Sequence, residues 1–231
     1  MKHRILVRMS GMDRRFIIER HRLYVENVVE RVLAQLSGER IEKDADNMVV
    51  SLIRDCARDR GDVSIDCAVE ISEDLQVLLE DARDRFLISS AMVVYYDWEK
   101  SLRDWLGKEV SDYIGNYEAA KIIWKEGVNG VIDLLSCSGW NVRDKCYFRY
   151  IDACRLVANV FKHGEGNSLE SLKKGYPEYI GGGFDRMAKY LTGGEWFDYT
   201  CLKYDTKDFF RLHEAIMSFW EDVPDILLLE G

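Results

Sequence analysis

The chain has 231 residues, of which 47% are hydrophobic, and carries a formal net charge of −9. That size and apolar fraction suit one large domain, or one domain with an appendage, around a real core. The acidic balance excludes a protein that holds nucleic acid through its overall charge, and the presence of only two prolines argues for a mostly helical chain.

In chain order, Asp13 is placed to cap a helix running to about Leu36, with Phe16, Leu23, Val28, Val32 and Leu36 facing inward. Ser37-Gly38 ends it. A second helix is predicted from Asp44 to Arg60. Ser72, followed by Leu75, Leu78, Leu79 and Ala82, starts a long helix through Tyr95, Trp98, Leu102 and Trp105 to about Lys108. Its length predicts a bend or break near Ser89-Ser90. Tyr117 to Leu135 reads as a helix weakened by Gly127 and Gly130, and Arg143 to His163 as a helix stopped by Gly164 and Gly166.

Gly181-Gly182-Gly183 reads as a hinge. After it come a short strand, Trp196 to Tyr204, and an amphipathic helix, Thr206 to Glu221, carrying Phe209, Leu212, Ile216 and Trp220. Asp225 to Gly231 is an apolar-acidic tail. The expected fold is mainly α (all-α): a helical bundle over 1–180, with a small C-terminal α/β-hairpin-like appendage over 184–231.

The six cysteines, 56, 67, 137, 146, 154 and 201, form no CxxC pair, and several fall inside apolar helical patterns. Buried free thiols in a reducing compartment are the simplest reading, and no familiar zinc spacing is present. Lys2 to Arg8 encloses only Ile5-Leu6-Val7, and the longest uncharged apolar stretch, Phe86 to Tyr96, is half a membrane span. The expected location is the cytoplasm, with no membrane partner. His3, His21 and His213 stand isolated and read as structural.

The stretch Arg155 to Gly166 carries most of the chemistry. At roughly 100° per residue, Asp152, Arg155, Asn159, Lys162 and His163 share a band about 100° wide. Apolar stripes flank it on both sides: Tyr147, Ile151, Cys154, Ala158 and Phe161 on one, Leu156, Val157 and Val160 on the other. A helix apolar on two sides is packed on two sides. Its hemmed-in polar groups then need partners, a ligand or a second copy. Between Trp140 and Lys174 the local balance is +3, against −12 for the remainder. A positive patch on an acidic protein suits a phosphate. Gly164-Glu165-Gly166 is a helix stop rather than a dinucleotide loop, because no strand precedes it.

Asn159-Val160-Phe161-Lys162-His163-Gly164 resembles the motif of the HEPN superfamily, and Tyr95-Tyr96-Asp97-Trp98-Glu99 on a long amphipathic helix fits the same picture. The resemblance covers roughly residues 70 to 180. It implies a compact helical bundle that dimerises to bring two motifs into one cleft. It also implies a metal-independent endoribonuclease of a toxin–antitoxin or anti-phage system, acting on RNA and needing no cofactor. His163 would be general acid or base, Arg155 or Lys162 would hold the phosphate, and Asn159 would orient His163 or a phosphate oxygen.

The family motif has four to six residues between its arginine and its histidine, whereas seven separate Arg155 from His163. Either Arg155 still reaches, or Lys162 supplies the positive charge, or the site is inactive. Each residue also has a plain structural role open to it. His163 can cap a helix end, Asn159 can be a buried hydrogen-bonder, Arg155 can pair with Asp152, and Lys162 can be solvated. Glu99 can face the motif or pair with Lys100 and Arg103 at the surface. The alternative function is a non-catalytic helical binding protein: an immunity factor, an antitoxin-like partner or a regulatory subunit. A nucleotide-binding partner module is a third, although the chain has no nucleotidyltransferase motif.

Overall fold

The computed structural model describes residues 4–58, 65–181 and 201–230. Among them the protein is mainly α, with one two-stranded antiparallel sheet. Strand β1 (Arg4–Arg8) precedes α1 (Gly11–Arg31), α2 (Gly38–Arg58) and α3 (Ile65–Ile114). Two short helices follow, α4 (Ala120–Lys125) and α5 (Val128–Ser136). Then come α6 (Phe148–His163), α7 (Asn167–Gly175), α8 (Thr206–Asp222) and β2 (Ile226–Glu230). None of these helices is long and apolar enough to cross a membrane.

Contacts divide the chain into two units, Met1–Val25 with Ile88–Gly231, and Glu26–Leu87. The smaller unit contains α2, which buries Ile41 and Ala45, four residues apart on one face. The larger unit holds α6 together with α8 and β2, so the segment expected as an appendage shares a unit with the motif helix.

Several elements differ from expectation. On α1, His21 and Val25 are buried whereas Phe16 and Leu23 are 65% and 57% exposed. The inward stripe therefore runs through a histidine. His21 is not isolated: its Nε2 lies 3.0 Å from His213 Nδ1 on α8, and the two rings stack. α3 passes Ser89-Ser90 without a break, over 50 residues. Mid-helix serines are tolerated when the hydroxyl bonds back to the preceding turn, as Ser101 does to the Asp97 carbonyl at 2.6 Å. The predicted 117–135 helix is split, because Glu126 and Gly127 adopt extended backbone between α4 and α5.

The tail is a strand. β2 pairs with β1 from Arg4↔Glu230 to Arg8↔Ile226, burying Val7, Leu227 and Leu229. Arg14 caps the end of α8 by donating to the Glu221 and Val223 carbonyls at 3.0 and 2.7 Å. The expected 196–204 strand lies outside the described residues up to 200, as do Gly182 and Gly183 of the hinge. Leu202 forms an antiparallel bridge with Ile180.

The larger unit's core is aromatic. Phe219 on α8 lies 5.2 Å, ring centre to ring centre, from both Trp98 on α3 and Trp140. Tilted and edge-on pairs at this spacing add to plain burial. Asp222 ties that core to the turn before α6. Its carboxylate accepts from Trp140 Nε1 at 2.9 Å and the Tyr147 hydroxyl at 2.8 Å, and pairs with Lys145 at 3.0 Å.

Candidate functional site

α6 is built as a core helix. Ile151, Ala153, Cys154, Leu156, Val157, Ala158 and Val160 are all buried, and the helix packs against α7 and α8. The burial leaves Asp152, Arg155, Asn159, Lys162 and His163 at intermediate or exposed positions on the remaining band. Gly164, with φ of +66°, ends the helix and donates to the Val160 carbonyl at 2.8 Å. A glycine takes that backbone without steric cost, which fixes His163 as the last helical residue.

The four expected site residues fall into two groups. His163 is exposed and Asn159, one turn earlier, is half-buried; neither side chain bonds to another described residue. Lys162 is exposed, donates to the Tyr96 hydroxyl and lies 4.1 Å from the centre of that ring. The Tyr96 ring thus steadies the ammonium through its π-face as well as its oxygen.

Arg155 is held elsewhere. Its guanidinium is 2.6 Å from Asp152, and the two side chains are 21% and 18% exposed. Asp152 also accepts from the Tyr176 hydroxyl at 2.8 Å. Burial, then the hydrogen bond to Asp152, pushes the Tyr176 phenol up to about 12, so it stays a donor. Arg155, Asp152, Tyr95 and Trp98 line a cavity of about 10 Å³. That is room for about one water and far too little for a phosphate group.

Glu99 does not meet the motif as an open partner, and its ion pair is not a surface one. Arg103 stands 2.6 Å from Glu99 with its own side chain 7% exposed. Arg103 also donates to the Ile123 and Glu126 carbonyls at 2.6 and 2.9 Å. It satisfies the end of α4 and so anchors the break that the sequence reading did not foresee. Tyr95, next to this pair, is buried, and burial followed by the Glu99 charge raises its phenol far above the ordinary range.

The thiols divide as well. Cys154 and Cys201 are buried free thiols, as expected, but Cys137 and Cys146 are exposed. The side chains of Cys56 and Cys67 lie outside the described residues. Among the described residues, no three His, Cys, Asp or Glu side chains gather as a metal site.

Two groups escaped the sequence reading. Tyr176 lies beyond the motif helix, so only the fold brings it to Asp152. His21 and His213 are 192 positions apart, and neither sequence neighbourhood hints at the other. No family model, curated protein or solved structure matches the chain.

Proposed function

We propose that this chain is a HEPN-type, metal-independent endoribonuclease in which His163 performs proton transfer. The observation that supports this most is the end of α6. An exposed histidine without a described partner, a half-buried asparagine one turn before it and a lysine braced by tyrosine share one side of that end.

The chemistry follows from those groups. A base takes the 2′-hydroxyl proton of RNA, the 2′-oxygen attacks the adjacent phosphorus, and the bond to the 5′-oxygen breaks as an acid protonates that oxygen. One His163 serves as base and the His163 of a second copy as acid, so the homodimer is the working unit. Lys162 supplies positive charge to the phosphate and Asn159 donates to a phosphate oxygen. Arg155 is assigned to supporting the helix, since Asp152 and Tyr176 hold it beside a cavity too small for phosphate. The products are a 2′,3′-cyclic phosphate and a 5′-hydroxyl. A cytoplasmic anti-phage or toxin role, with an antitoxin-like partner, goes with the family reading.

A defined RNA oligonucleotide incubated in EDTA tests the chemistry through the ends it yields. Cyclic-phosphate ends, with Asn159→Ala and Lys162→Ala each slower by roughly 10²-fold, fit this reading. Ends of any other kind contradict it.

The second reading is a non-catalytic helical binding protein. The closed Arg155–Asp152 pair and the net charge of −9 favour it, because both withhold positive charge from RNA.

A further inference from the structure

A groove opens at the other end of α6, where its first turn meets α8. Its volume is about 650 Å³, within the range of sites that hold a ligand. α6 has 16 residues, so the groove lies roughly 22 Å along the helix axis from His163.

The lining is unusual for so acidic a protein. Arg143, Lys145, Arg149 and Arg211 all border the groove, and Glu214 is the one carboxylate among the lining residues. Tyr150 and Tyr176 also line it, with the Arg149 guanidinium 5.8 and 5.9 Å from their ring centres. Cations and aromatic faces lining one groove are the elements that hold single-stranded nucleic acid: charge tracks the phosphates and rings stack on bases.

The cations have carboxylate partners outside the groove, and these decide which of them can serve. Lys145 is held by Asp222, which is fixed in turn by Trp140 and Tyr147. The arginines pair more openly: Arg149 with Glu178 (52% and 47% exposed), Arg143 with Asp133 (42% and 65%), and Arg211 with Asp208 (53% and 13%). The exposed Arg149–Glu178 and Arg143–Asp133 pairs contribute little, so a phosphate can displace the carboxylate at small cost. Arg211, by contrast, keeps the more enclosed Asp208 through Nη1 and meets a phosphate with the rest of its half-exposed guanidinium. A guanidinium also offers a phosphate two parallel hydrogen bonds.

We infer that this groove binds a single strand of RNA, with Arg143, Arg149 and Arg211 on successive phosphates and Tyr150 and Tyr176 stacking on bases. As an exosite feeding the cleavage site it rests on the ribonuclease reading; as a binding site it does not.

The test is fluorescence anisotropy of a labelled twelve-nucleotide single-stranded RNA with His163→Ala protein, over a range of salt. Three phosphate contacts predict that log K falls against log salt with a slope of about −2. Arg149→Gln with Arg211→Gln weakens binding at least tenfold and brings the slope to about −0.7. Tyr150→Ala weakens binding roughly tenfold without changing the slope. Circular dichroism shows whether each variant remains folded, and Arg149→Lys, which keeps the charge but loses the paired hydrogen bonds, leaves the salt slope at about −2 while binding more weakly than wild type. Absence of binding, binding indifferent to the paired arginine change in folded protein, or ATP competing as well as the oligonucleotide would each overturn the inference. Arginine-dependent binding by a wild-type protein that cuts nothing would support the groove and remove the ribonuclease.

Discussion

Asp152 holds Arg155 at 2.6 Å, one turn apart on the same helix, with Tyr176 donating to the other carboxylate oxygen at 2.8 Å. The pair is mostly enclosed, so its partners are not exchanged for solvent at little cost. Arg155 thus stands in a closed pair, and the seven residues between it and His163 set it apart from the spacing of the HEPN motif.

Arg155→Ala should therefore act on stability rather than on chemistry. Removing one member leaves the Asp152 charge short of a partner, a loss of about 1–3 kcal/mol for a pair that is not fully buried. Thermal unfolding should show that loss. RNA cleavage well below the melting temperature should stay within about threefold of wild type.

How far the sequence reveals this arrangement depends on the range of each interaction. The α6 band, its two apolar flanks and its stop at Gly164 are local, and helical periodicity exposes them. The amphipathic α8 is legible for the same reason. The β1–β2 pairing joins Arg4 to Glu230, and nothing in either five-residue strand names the other. The inward face of α1 includes Val28 as its periodicity indicates but runs through His21 and Val25 rather than Phe16 and Leu23, and only the fold brings His213 to meet His21. The Glu99–Arg103 pair was visible at its helical spacing, but its burial was not, since that depends on α4 closing over it.

The His21–His213 pair should make stability sensitive to acid. Burial first, and then the charge of His213, lowers His21 from 6.5 to about 4. The folded-state value lies below the unfolded one, so between those values the unfolded chain binds more protons. Stability therefore falls as the pH drops from 6.5 towards 4, on the order of 3 kcal/mol across the window. Urea unfolding at pH 7, 6 and 5 reads the slope. His21→Asn should be less stable at pH 7 and flatter below it.

The described cysteines should react in two classes. Cys137 and Cys146 are exposed, while burial pushes the Cys154 thiol up to about 12 and Cys201 is also buried. Brief treatment of folded protein with iodoacetamide, followed by peptide mass spectrometry, should label 137 and 146 and spare 154 and 201. Denaturant should remove the difference.

Gly164→Ala should cost about 1–3 kcal/mol, because φ of +66° with ψ of −124° is a backbone suited to glycine. Denaturant unfolding checks it, and Gly175→Ala, where no neighbour crowds an added Cβ, is the milder comparison.

The proposed role of His163 is to cut RNA without a metal. Purified wild-type and His163→Ala protein should be incubated with total RNA in EDTA and the products resolved on a denaturing gel. Cleavage by wild type and none by the folded variant is the expected result. Equal cleavage by both, or none by dimeric wild-type protein, would contradict it.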